Sequence, residues 1–297
     1  MNLLLAIPLL ATLAVPTQRR KVKPIKCVRF ATTWEGAITE AKLLRLPMVV
    51  HSHKIDGPEC KILRGRLLED RRYMRFAAVS TVEVAVVAGF EEAVEDKNPA
   101  VVTYEKRVEG KTIKRLARWP NLTITDMRLV NASGAQEYNF AEVHPYTTVV
   151  DPFTRGEMKS WKGTFDKKEL MDFVKKAMSE IRRQHRQPKI TRKELYALDA
   201  AEARARHALA RKRLAKALSA VARFDRRLAS WPGEARKRVA AIRAAAAKIA
   251  NGELAAVQAL AKDNKTAARK RIAVATNVLK GTDFAKKLAE LKAKLYQ

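Results

Sequence analysis

The chain has 297 residues and a formal net charge of +29, from 60 Lys+Arg against 31 Asp+Glu. That length corresponds to about two domains, and charge divides them: residues 181–297 carry 30 Lys+Arg and 9 Asp+Glu, a net of +21. An apolar run from Leu3 to Val15 covers 13 residues, far short of the roughly 20 that a helix needs to span a bilayer.

Taken in chain order, residues 1–18 read as a secretory signal peptide with Thr12-Leu13-Ala14 as the cleavage triplet. No Lys or Arg precedes the apolar run, and Arg19, Arg20 and Lys21 follow it. This reverses the usual charge bias, so a retained membrane anchor is the alternative. The expected destination is the periplasm or the outside of the cell. Two cysteines, Cys27 and Cys60, suit an oxidising compartment only if they pair.

Residues 19–180 alternate strand and helix patterns. Trp34 to Lys42 reads as a helix leading into an apolar strand after Pro47. Leu63 to Phe76 reads as a second helix and Val79 to Val87 as the next buried strand. Trp119-Pro120-Asn121-Leu122-Thr123 is a capped turn that opens a helix. After Val143 to Pro152, Arg155-Gly156-Glu157 makes a hairpin turn, Met158 to Trp161 the last strand and Asp166 to Met178 the closing helix. This order argues an α/β sandwich around one sheet. Asn121-Leu-Thr and Asn131-Ala-Ser match the glycosylation acceptor pattern, which is common by chance. Neither a Gly-rich phosphate loop nor a Ser/His/Asp arrangement is present, and no cofactor is expected.

After Pro188 the composition shifts to about a quarter alanine with abundant Arg, Lys and Leu, a strongly helical mixture. The first helix starts at Thr191 or Asp199 and is expected to run to Ser230, where Trp231-Pro232-Gly233 breaks it. That helix would be about 60 Å long at 1.5 Å per residue. Leu214, Leu218, Val221, Phe224 and Leu228 form an apolar stripe along it. Further helices are expected over Glu234–Ala250, ending at Asn251-Gly252, then Glu253–Lys280 and Asp283–Leu295 around Gly281. The whole reads as an antiparallel helical hairpin or coiled-coil-like arm.

Basic clusters punctuate this region: Arg182, Arg183 and Arg186; Arg204 and Arg206; Arg211, Lys212 and Arg213; Arg236, Lys237 and Arg238. They could neutralise phosphates or form a solvated helix face. A net +21 exceeds what solubility requires, which points to a polyanion: anionic lipid headgroups, cell-wall polymers or nucleic acid. The region lacks the aromatic interleaving of a stacking platform.

The most informative stretch is Leu46-Pro-Met-Val-Val-His-Ser-His-Lys-Ile-Asp-Gly-Pro-Glu-Cys-Lys61. It resembles the active-site region of the thioredoxin family: Lys-Pro, an apolar strand, a short loop, Trp-Cys-Gly-Pro-Cys-Lys and a helix. Cys60 and Lys61 keep the second cysteine and the following lysine, with Pro58 and Glu59 between. Gly57 stands in the slot of the first cysteine and Asp56 in the Trp slot. Val143-His-Pro-Tyr-Thr-Thr-Val-Val-Asp-Pro152 is similar to a second family segment, with Pro145 in the cis-proline slot and His144 before it. The resemblance covers residues 25–180. It implies a thioredoxin-like fold whose proline loop faces the Gly57–Cys60 loop.

The resemblance also implies a broken redox pair. The family's first cysteine sits exposed at a helix N-terminus, where free amides stabilise its thiolate, and its partner resolves the mixed disulfide. Cys60 has the inner slot without an outer partner, and Glu59 opposes thiolate formation. A small buried hydrophobe is one reading of Cys60; a regulatory thiol or a catalytic residue is the other. His51, His53, Cys60 and His144 form a soft or borderline metal set on paper, because His51 and His53 share a strand face. Against it stands the lack of any dense ligand spacing.

Three functions are compatible with these residues. The first is an exported, redox-degenerate thioredoxin-fold protein that binds a protein partner and carries a polyanion-binding helical arm. The second is a monothiol-dependent thiol–disulfide oxidoreductase, and the third a nucleic-acid or other polyanion binder with the α/β domain as scaffold.

Overall fold

The structure, a computed structural model, describes residues 23–98, 101–108, 110–138, 143–186 and 188–296. The expected signal peptide lies outside them. Among the described residues no helix is long and apolar enough to cross a membrane. The fold is mixed α/β, with a small sheet and a long helical C-terminal region.

Helix α1 (Trp34–Leu44) starts at Thr33, whose hydroxyl accepts from the Gly36 amide. It leads into β1 (Met48–Lys54), which pairs in parallel with β2 (Val82–Ala88) and antiparallel with β5 (Tyr146–Val150). β6 (Glu157–Lys162) closes the far edge, giving the order β2-β1-β5-β6. Phe30 adds a parallel bridge to Glu83 on the outer side of β2. The His144–Pro145 peptide bond before β5 is cis.

Strand alternation sends side chains to two faces. On one face Met48, Val50, Val84 and Val86 pack with Trp34, Ile38 and Leu44 of α1. On the other, Val49, Ala85, Val87 and Val149 pack with Tyr73 and with Leu170 and Val174 of the closing helix α6 (Lys167–Gln184). Both β1 and β2 are therefore buried on both faces, as their continuous apolar runs require.

Several expected elements differ in detail. The segment expected as one helix from Leu63 to Phe76 is divided. α2 (Pro58–Leu63) continues into a π turn over Arg64–Leu68, and α3 (Arg71–Ser80) starts afresh. The cause is Asp70, whose carboxylate accepts from the Tyr73 amide at 2.9 Å and is held at 2.6 Å by Lys167. Val79 belongs to α3 and is exposed, so the strand begins three residues later than expected. After α4 (Phe90–Glu95), a hairpin of β3 (Thr103–Val108) and β4 (Lys111–Leu116) turns at Gly110, a segment to which the sequence reading assigned no element. Glycine suits this turn because its φ is +81°. α5 (Ile124–Asn131) is opened by a capping box between Thr123 and Asp126.

The C-terminal region departs furthest from expectation. The continuous 60 Å helix is not formed: α7 (Arg192–Ala210) stops and α8 (Leu214–Ala222) begins after a three-residue turn, followed by the short α9 (Asp225–Leu228). Lys212 takes the left-handed conformation with φ +54°, while the Arg213 amide bonds back to the Ala208 carbonyl at 2.8 Å. This is a Schellman-type stop with lysine in the place glycine usually takes. Conversely, α10 (Gly233–Asp263) runs straight through Asn251-Gly252. Leu254 and Val257 bury beyond that point against α11 (Lys265–Leu279), which outweighs the roughly 1 kcal/mol cost of an interior glycine. Asn264 makes the break instead, its side chain accepting from the Ala267 amide. α12 (Phe284–Tyr296) is the last described element.

These helices do not stand off from the sheet. Ile190, Leu195, Leu198, Val239 and Ile242 share one buried cluster with α1, β1 and β2. The Ile190 amide bonds the Leu43 carbonyl at 3.2 Å. Arg192 fastens the junction: its guanidinium donates to the carbonyls of Ala78 at 2.7 Å and Thr81 at 2.5 Å, and lies 3.4 Å from the Glu40 carboxylate. It thereby caps the end of α3 and ties α7 to α1.

Candidate functional site

The loop between β1 and α2 places the residues singled out by sequence. Gly57 is the N-cap of α2 and Pro58 follows it, a position where the missing proline N–H costs nothing. Cys60 is buried, 5% exposed, and its sulfur accepts from the Lys54 amide at 3.3 Å. Burial pushes the Cys60 thiol above its ordinary pKa; Glu59 adds to this, and the Lys54 amide opposes it. A β-carbon placed on Gly57 would lie 3.1 Å from the Cys60 sulfur and 3.5 Å from its β-carbon. Asp56 accepts from the Asn98 side-chain amide nitrogen at 2.7 Å.

Pro145 and His144 reach the same neighbourhood through β5 and β6. The Pro145 carbonyl accepts from Gly163 at 2.8 Å, and Gly163 lies against the Glu59 carboxylate. His144 Nδ1 is 3.2 Å from the Ser52 hydroxyl, and burial is the main cause of its lowered pKa. The cavity beside Cys60 has about 10 Å3 for a guest and is lined by His53, Arg64 and Arg118 among others. That is room for about one water. Lys61 also borders it. Cys27 remains unpaired with Cys60; both thiols are free, and burial pushes Cys27 up to about 12.

His51 and His53 lie inside the molecule, on the sheet face covered by α3 and α6, and not at a polar edge. His51 Nε2 meets the Glu83 carboxylate at 2.6 Å, and its Nδ1 is 3.1 Å from the Thr147 hydroxyl. Glu83 is also buried and accepts from the Tyr73 hydroxyl at 3.0 Å and the Thr81 hydroxyl at 2.5 Å. Burial, then Glu83, drives the Tyr73 hydroxyl pKa well up. His53 stacks at 6.1 Å from His51, its Nε2 has no hydrogen-bond partner, and its pKa is lowered to about 3, chiefly by burial and then by His51.

The proposed metal set is thus not assembled. Both His51 nitrogens are engaged elsewhere, and among the described residues no three His, Cys, Asp or Glu side chains form a group that could hold a metal ion. The sequence reading missed Glu83 and Tyr73. The available signal was a carboxylate inside the apolar run Val82-Glu-Val-Ala-Val-Val87, which a buried strand tolerates only when the charge is partnered.

The basic candidates divide. Arg211 and Arg213 line a cleft between α7 and α8. Lys212, between them, turns away to the buried Glu253 at 2.8 Å. Arg238 is bound to Asp199 and Glu202 at 2.6 and 2.5 Å. Arg236 and Lys237 are exposed on the first turns of α10. Arg182, Arg183 and Arg186 lie at and beyond the end of α6, with Arg182 half-buried. Arg204, Lys216 and Arg223, two of them outside the clusters read from sequence, join Arg211 and Arg213 in the cleft.

No protein-family model matches this chain, and no curated protein matches its sequence.

Proposed function

We propose that this chain is an exported, redox-degenerate thioredoxin-like protein whose α/β domain binds a protein partner and whose basic helical region binds polyanions. The sheet order, with a parallel β1–β2 pair and antiparallel β5 and β6, supports a thioredoxin-like arrangement. Export rests on the Leu3–Val15 run.

One observation carries the redox-degenerate reading. The backbone at position 57 aims a side chain at Cys60, with a β-carbon separation of 3.5 Å inside the range of about 3.5–4.5 Å found in disulfides. Gly57 leaves that place empty of sulfur. Cys60 alone is buried with a raised pKa, which disfavours the thiolate that exchange requires. The reading expects the full-length native protein to fail in dithiol-driven insulin reduction. Cys60 should also alkylate far more slowly than a free thiol of pKa about 8.5. Rapid labelling at neutral pH together with turnover would move the protein to the monothiol oxidoreductase.

A further inference from the structure

Several carboxylates in the helical region are committed to particular cations. Glu194 holds Arg227 at 2.5 Å, Glu202 holds Arg206 and Arg238 at 2.5 Å, Asp225 holds Arg243, and Glu253 holds Lys212 and Arg271 at 2.8 and 2.5 Å. Among the described residues, no carboxylate pairs with Arg204, Arg211, Arg213 or Lys216. These four line a single cleft, together with His207 and Arg223.

The cleft follows from the stop at Lys212. It folds α8 back beside α7, so one face of each helix looks across the groove. Arg204, His207 and Arg211 repeat at three- and four-residue spacing on α7 and so share a face. They span about 10 Å along the axis. Lys216 on α8 and Arg223 at its end supply the opposite wall, with Arg213 at the turn. The open cleft has a volume of about 560 Å3, within the 300–1,000 Å3 or so of small-ligand sites.

We propose that this cleft is a binding site for a linear oligophosphate. Guanidinium groups match phosphate oxygens bidentately, and cations on two facing walls surround an anion that carries charge on all sides. A nucleic-acid strand has phosphate on one side and bases on the other, and among the described residues no Phe, Tyr or Trp lines the cleft as a platform for bases. Several cations gathered without a carboxylate repel one another, and a bound oligophosphate relieves that repulsion. The inference rests on the polyanion reading above and narrows it to one site and one ligand class.

The test titrates the full-length protein with tripolyphosphate, orthophosphate and duplex DNA by calorimetry, with heparin retention measured in parallel. Tripolyphosphate should bind with one site per chain, at least about tenfold more tightly than orthophosphate. The double variant Arg204→Gln, Arg211→Gln should lose about tenfold or more of that affinity while folding normally by circular dichroism. Lys248→Gln, exposed on α10 and outside the cleft, should leave it unchanged. Retained heparin binding with tripolyphosphate affinity indifferent to the double variant would overturn the site and spare the broader reading. Loss of both heparin and tripolyphosphate binding in the native protein would remove both. DNA binding as tight as tripolyphosphate, with the same sensitivity to the double variant, would overturn the oligophosphate assignment in favour of nucleic acid.

Discussion

The inner face of the sheet and the α7–α8 cleft handle charge in opposite ways. At the sheet, Glu83 is surrounded by His51, Tyr73 and Thr81 within 3.0 Å and sealed from water. In the cleft, Arg204, Arg211, Arg213 and Lys216 face solvent, and no carboxylate among the described residues pairs with them. A buried charge survives only when its hydrogen bonds are met inside the protein, so the Glu83 cluster is part of the framework. Exposed and uncompensated cations contribute little to stability and remain open to an external anion. The same kind of residue, a charged side chain, is therefore built into the framework in one place and left open to solvent in the other.

Substitution at the sheet should break this contrast most severely. Glu83→Ala leaves His51, Tyr73 and Thr81 without their shared acceptor, and should destabilise the fold by about 3–5 kcal/mol, measured by denaturant unfolding. Glu83→Gln keeps the shape and one acceptor and should cost less. A loss under about 1 kcal/mol for Glu83→Ala would show that water reaches the cluster.

Acid should act on the same face through His53. Its folded pKa of about 3 lies below the unfolded value of about 6.5. Between these values the unfolded chain binds a proton that the folded chain refuses, so stability falls as pH drops from about 6.5 toward 3. The slope is at most about 1.4 kcal/mol per pH unit for one group. Unfolding curves across that range for native protein and His53→Leu should diverge, with the variant flatter. Parallel curves would show that His53 is protonated in the fold.

At the cleft the effect on stability should be smallest. Arg211→Gln is expected to leave unfolding free energy within about 0.5 kcal/mol of native, and to raise it slightly if mutual repulsion dominates. A marked loss would mean that Arg211 has a structural partner, and would erase the contrast with Glu83.

Sequence revealed what depends on near neighbours. The spacing from Pro47 to Cys60 located the junction of β1, its loop and α2, and the Thr191 start of α7 is written in its capping box with Glu194. The His51–Glu83 contact was hidden because 32 residues separate the partners. They meet only through the parallel register that sets His51 beside Ala85 and Val49 beside Glu83. The stop at Lys212 was hidden because neither glycine nor proline marks it. The passage of α10 through Gly252 was hidden because burial of Leu254 and Val257 decides it, not local propensity. The cleft itself depends on that unmarked stop, so its two walls looked like separate clusters on one long helix.

We propose that the Gly57–Cys60 loop keeps the geometry of a dithiol site but lacks its outer sulfur. Gly57→Cys tests it most directly, because φ −60° and ψ 124° at position 57 suit a non-glycine residue. After air oxidation, thiol-blocking mass spectrometry should find the introduced thiol joined to Cys60 as a disulfide in nearly all molecules, and the variant should gain insulin reductase activity that the native protein lacks. Two free thiols at this loop in the oxidised variant, or equal turnover by the native protein, would contradict the account.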